Sequence, residues 1–187
     1  MELFDAITTR RSDGQVIADK PVEKALIEKI LLAGGWAPNH HRTEPWRFAI
    51  FRGEGRIKLA EALAKGEDDE KKEFALKKVM RAPVVITVWA AVGRGAFKNP
   101  PVWEDHAAVA AACQNMMLAT HALGLAGIWR SGSFTEAQGL HELLELDATK
   151  GDRVMGFLYI GHHNPDLPEP LRPEPKMAER TLWFNAK

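Results

Sequence analysis

The chain has 187 residues, 45% of them hydrophobic, with Lys+Arg and Asp+Glu balanced at 25 each and a formal net charge of zero. That length suits one ordinary domain able to bury a sizeable core, and the balanced charge excludes the chain-wide basic field that general nucleic-acid binding requires. The lone cysteine, Cys113, excludes an intrachain disulfide and fits a reducing cytoplasm, the expected location.

The N-terminus has no basic region followed by an apolar run, so no signal peptide is expected. Leu3, Phe4 and Ile7 share one face of a short opening helix that ends near Arg10 and Arg11. Pro21 opens a second helix, with Val22, Leu26, Ile30 and Leu31 at helical spacing; Gly34-Gly35 and Pro38 stop it. Residues 46–51 read as a strand, and residues 57–65 and 70–80 as two polar helices around a charged break. Residues 84–90 form a β-branched run without polar alternation, the pattern of a strand covered on both faces. A loop rich in Gly and Pro, residues 93–101, is long enough to be functional.

Residues 103–123 form the longest helix, Ala-rich and apolar around most of its circumference, so it needs cover on nearly every side. It is interrupted by Gln114, Asn115 and His121 and reads as a buried helix, not a membrane span. Residues 126–129 form a short strand, and Thr135 is placed to cap a helix over 136–144. Residues 154–160 form the last apolar strand. The tail, residues 163–187, carries five prolines and reads as an extended arm whose Leu182-Trp183-Phe184 end docks on something apolar. The whole of 1–187 reads as a single α+β domain: one sheet of four or five strands with helices on both faces.

Three segments carry chemistry. Arg10-Arg11-Ser12 sets two guanidinium forks, which match phosphate oxygens, beside a hydroxyl at a helix end. Trp129-Arg130-Ser131-Gly132 repeats those residue types far along the chain, and Pro38-Asn39-His40 opens a polar cluster between them. Together they suit a phosphorylated, planar ligand. The glycine-rich dinucleotide fingerprint and the P-loop are absent, and no cysteine pair offers a zinc site. The adjacent pairs His40-His41 and His162-His163 are poor metal ligands, and Ser131 lacks the nucleophile-elbow pattern of hydrolases. No metal is expected.

Four ordered signals then resemble the FMN-dependent nitroreductase family, and its compact members in particular. They are Arg10-Arg11-Ser12 after the first helix; Ala37-Pro38-Asn39-His40 before Pro45-Trp46 and a strand; Gly127 to Gly132 after the long helix; and Val154 to Gly161 at the last strand. The resemblance implies a central, mostly antiparallel sheet and a domain-swapped-type homodimer with FMN at the subunit interface. It implies NADH or NADPH as reductant, nitroaromatic or quinone-type acceptors, and a ping-pong hydride transfer in which no side chain acts as an obligatory acid or base. By position, Arg10, Arg11 and Ser12 would hold the phosphate and ribityl chain. His40 would reach the flavin from the facing subunit, and Arg130, Ser131 and Gly132 would line its other side. Trp36 stands where compact relatives often carry a basic residue; it suits stacking, not phosphate pairing. Neither a nucleic acid nor a membrane is an expected partner. Two other readings stay open: a flavin-handling protein without nicotinamide turnover, and a dimeric scaffold binding a different phosphate ligand.

Overall fold

The structure, a computed structural model, describes residues 1–95, 97–168 and 170–184. Residue 96 of the expected loop and residues 169 and 185–187 of the expected arm lie outside the described residues. The elements in chain order are α1 (Leu3–Thr9), α2 (Lys24–Gly35), β1 (Trp46–Arg52), α3 (Gly55–Leu63), α4 (Asp69–Val79), β2 (Val84–Ala90), α5 (Val102–Ala122), β3 (Ala126–Arg130), α6 (Gln138–Leu143) and β4 (Arg153–Gly161), with four short 3-10 turns between and after them.

The described strands form one antiparallel sheet in the order β1-β2-β4-β3. Side chains alternate across a strand, so the fully covered β2 feeds two cores. Val84, Ile86, Val88 and Ala90 pack under α2 and α5 with Ile30, Val109, Cys113 and Met116. Val85 points the other way, into a core with Leu59 and Leu63 of α3, Val79 of α4 and Leu140 of α6. The result is the expected α+β arrangement, a sheet between two helical layers. No helix among the described residues is long and apolar enough to cross a membrane.

Two expectations changed on local grounds. Thr135 does not cap α6. It lies inside a 3-10 turn, Ser133–Glu136, and its hydroxyl donates to the Gly132 carbonyl at 2.7 Å. Helix α6 instead starts after Ala137 with no side-chain cap. Pro21 also stands ahead of α2 rather than in its first turn, because regular helix begins only at Lys24.

The central helix is less covered than its composition demands. Trp103 is 67% exposed, and Ala107 and Gln114 of α5 are also exposed on the same chain. Leu3 and Phe4 of α1 are exposed, as are Leu171, Leu182, Trp183 and Phe184 of the tail, Leu171 at 98%. The apolar faces that the sequence marks for docking therefore find no cover within one chain.

Candidate functional site

Helix α1 ends at Thr9 and delivers Arg10 and Arg11 to the rim of a cavity of about 250 Å³. The C-terminal turns of α5 supply Met117, Thr120 and His121 to its wall, and the start of β3 supplies Ala126 and Gly127. Backbone pairing locks the two sides together: the Asp13 amide donates to the Gly127 carbonyl at 2.9 Å. Thr9 Oγ1 meets His121 Nε2 at 2.7 Å, tying α1 to the end of α5.

The electrostatics of this cavity are one-sided. Arg172, from the tail, donates to the carbonyls of Ile7 and Arg10 at 3.4 Å each, so a third guanidinium joins Arg10 and Arg11. No carboxylate pairs with any of the three among the described residues. Burial, then the charges of Arg172 and Arg11, pull the Arg10 guanidinium below its ordinary value. Arg10 Nε is buried without a hydrogen-bond partner. A buried donor of a cation is costly to leave unmade, so Arg10 Nε is a donor open to an acceptor in the cavity. Arg11 has a second duty: its Nη1 donates to the carbonyls of Thr8 (2.9 Å) and Thr9 (2.8 Å), closing the end of α1. Ser12 is exposed beside them.

Asp13 is the one acidic residue lining the cavity among the described residues, and both its oxygens are committed. Oδ1 accepts from the Gln15 amide at 2.8 Å, and Oδ2 binds Nδ1 of His163 at 2.6 Å. Neither His163 nor Arg172 belongs to the sequence motifs; the sequence offers His163 only as half of an adjacent histidine pair. Arg172 sits in a proline-rich tail that matches no motif; its position between Pro170 and Pro173 was the available signal.

His40 lies elsewhere. It lines an open groove with Pro38, Asn39, Trp103 and Glu104, and its Nδ1 is bound by the Glu104 carboxylate. The segment that carries it is strained: His41, Arg42 and Glu44 all have positive φ, at 51°, 54° and 44°. Side chains hold it there. Asn39 Oδ1 accepts from the Glu44 amide at 3.0 Å, and Thr43 Oγ1 donates to buried Asp105 at 2.7 Å. Trp36 caps the end of α2 and is 78% exposed. Glu104 opens α5 and His121 nearly closes it, so His40 and Arg10 are separated by about 26 Å of helix. One chain does not bring these two expected ligands together.

The third cluster occupies the end of the edge strand β3. Arg130 faces a small cleft with Gly14, Lys78, Arg81 and Tyr159. Trp129 donates its indole N–H to the Met155 carbonyl at 3.0 Å. This requires a glycine at 156: φ there is 138°, and a Cβ would fall 2.5 Å from both the Trp129 indole nitrogen and the Arg130 carbonyl. Ser131 and Gly132 follow, both exposed, with Gly132 at φ 129° accepting the bonds that start the next turn. Among the described residues, no group of His, Cys, Asp or Glu is arranged to hold a metal.

The sequence profile of the nitroreductase family matches residues 7–162. YdjA of Escherichia coli K12, named as an NAD(P)H nitroreductase, is 34% identical over 166 residues, covering 86% of this chain and 88% of that protein. A crystal structure of a nitroreductase-like family protein from Bacillus cereus superposes with a TM-score of 0.83 at 29% identity, covering 100% of this chain and 97% of that one. A nitroreductase-type protein of Desulfovibrio desulfuricans, solved in complex with FMN, superposes with a TM-score of 0.73 at 29% identity, covering 100% and 99%.

Proposed function

The chain belongs to the nitroreductase family, and from that premise we propose that it is an FMN-dependent oxidoreductase that uses NADH or NADPH to reduce nitroaromatic or quinone-type acceptors. The observation that carries this reading is the buried, unpartnered Arg10 Nε beside Arg11 and Arg172, on a cavity whose one carboxylate among the described residues is already committed. A phosphate supplies the missing acceptors, and each guanidinium offers it charge-assisted hydrogen bonds.

In this reading Arg10, Arg11 and Arg172 hold the FMN phosphate, and the exposed Ser12 hydroxyl serves the ribityl chain. Arg130, Ser131 and Gly132 line the far side of the cofactor, where Gly132 lets the backbone approach a planar ring. When bound, FMN supplies hydride-transfer chemistry in ping-pong order, first from the nicotinamide and then to the acceptor. The protein's own work is binding, orientation and exclusion of water. Exposed Trp36 offers a flat surface for stacking a planar substrate.

The site is assembled from two copies of the chain. His40 and Arg10 sit near opposite ends of α5, so a two-fold axis across the middle of that helix brings the His40 of one copy toward the Arg10 of the other. The small, exposed Ala107 of α5 allows the close approach this needs, and exposed Leu3, Phe4, Leu171, Leu182, Trp183 and Phe184 gain cover in the same dimer. Steady-state kinetics test the activity. With nicotinamide and acceptor varied together, double-reciprocal lines are expected to be parallel. Intersecting lines would contradict the ping-pong order, and no acceptor-dependent oxidation of either nicotinamide would contradict the activity.

A further inference from the structure

We propose that Asp13 and His163 form a phosphate-recognition couple that makes this site select a phosphorylated flavin over the unphosphorylated one. The assignment rests on the flavin reading above and names a residue pair outside the four sequence signals.

The couple is defined by geometry. His163 follows the end of β4, where its backbone bridges to Val16 and the neighbouring Asn164 amide donates to the Gln15 carbonyl at 3.0 Å. This pairing carries the imidazole to the wall of the cavity that Arg10 and Arg11 line. Asp13 is buried, fixed from one side by its amide bond to Gly127 and from the other by the Gln15 amide on Oδ1. Its remaining oxygen, Oδ2, sits 2.6 Å from His163 Nδ1.

A carboxylate only accepts hydrogen bonds, so Nδ1 of His163 carries the proton. That fixes the ring's tautomer and its orientation. Nε2 is the ring nitrogen left for a ligand, and in the proposed complex an Nε2–H donates to a phosphate oxygen while Asp13 orients the ring from behind through Nδ1, the same support that a carboxylate gives a histidine elsewhere in protein chemistry. The groups that bear on this ring are Arg10, Arg11, Asp13, His121 and the Met1 end of the chain, which line the cavity, and Arg172, which borders Arg10. Four of them carry or can carry positive charge on side chains and one is the acid already bound to His163. A neutral hydroxyl in place of the phosphate gives these donors little in return for losing their water.

The full-length protein, stripped of any flavin, is titrated with FMN and with riboflavin, and the ratio of the two dissociation constants is the readout. His163→Ala is expected to weaken FMN by about tenfold, the scale of one hydrogen bond to a charged group, and to leave riboflavin unchanged. His163→Lys returns a cationic donor and is expected to recover most of the ratio. Asp13→Asn keeps an acceptor for the Gln15 amide but removes the negative charge behind the imidazole, so the FMN loss is expected to be a few-fold, again without a riboflavin loss. An equal loss for both flavins, or an unchanged FMN affinity in His163→Ala, would overturn the assignment while leaving the flavin reading intact. Failure of the unsubstituted chain to bind either flavin would overturn the flavin reading, and this assignment with it.

Discussion

Arg172 donates from Nη1 to the carbonyl oxygen of Arg10 at 3.4 Å, which sets two guanidinium groups side by side at the end of α1. The contact is made through a backbone oxygen while the two charges repel, so an anion between them would relieve the repulsion. Arg10→Ala and Arg172→Ala are each expected to weaken FMN binding by about 10- to 100-fold, the range of a charge-assisted bond to phosphate. The two substitutions should differ from ordinary destabilisation in one respect. Without flavin, thermal midpoints should hold, because each removes a like-charge neighbour; with saturating FMN, the upward shift expected of the parent should shrink. Isothermal titration and thermal unfolding with and without FMN check both halves.

Ala107 is exposed on α5 within one chain and lies on the groove that His40 and Trp103 also line. Ala107→Glu puts a charge on the helix face that two copies share in the proposed dimer. It should leave the isolated fold intact, since no core residue changes, but convert a dimer into a monomer and abolish FMN retention together. Light scattering at micromolar concentration, with flavin content measured on the same fraction, reads both. A monomeric parent, or a monomeric variant that keeps its flavin, would contradict a site shared between copies.

Cys113 sits at full burial on the inner face of α5, in the core between that helix and the sheet. Burial pushes its thiol up to about 12, so almost no thiolate exists near neutral pH. The native protein should therefore resist a thiol reagent at pH 8 and release one equivalent of colour only after denaturation. Rapid labelling of the native chain would show that the core between α5 and the sheet opens readily.

Asp152 is buried and accepts from both Nη atoms of Arg94, at 2.6 and 2.7 Å, and from the amides of Val92 (2.8 Å) and Asp147 (3.0 Å). Burial raises this carboxyl, but the Arg94 and amide bonds outweigh it, and the net shift is downward. A depressed folded-state value means the carboxylate contributes stability above the ordinary Asp range, near pH 4, and loses it as pH falls through the lower folded-state value. Arg94→Leu should cost about 2 kcal/mol at pH 7, a figure reduced for the partial exposure of Arg94. The deficit should close as pH drops below about 4. Urea unfolding at pH 7 and at pH 3 measures it; a deficit independent of pH would place the effect in packing instead.

Much of the fold is legible in the sequence because periodicity and glycine or proline punctuation mark the elements directly. The β-branched run of β2 and the Ala-rich α5 come within a residue of their observed ends. Less was legible where tertiary contacts decide. Thr135 resembles a helix cap, yet the positive-φ turn at Gly132 captures its hydroxyl first. The candidate site was legible in its motif residues, since the Arg10 pair and the Arg130 segment are local patterns. Its remaining members come from distant backbone pairing: His163 reaches the cavity through the bridge to Val16, and Arg172 through an extended tail, and neither arrangement has a period or spacing to read. The separation of His40 from Arg10 along α5 was equally hidden, because it depends on which end of one long helix each segment docks against.

The most direct measurement is the absorbance spectrum of freshly purified protein, taken anaerobically before and after addition of NADH or NADPH. Flavin bands that bleach on addition are the expected result, joining bound FMN to a competent reductive step. Flavin bands that persist with both nicotinamides would contradict the oxidoreductase reading and favour a flavin-handling role. A colourless protein that stays so after incubation with FMN would contradict the account at its root, leaving Arg10, Arg11 and Arg172 as a site for some other phosphate.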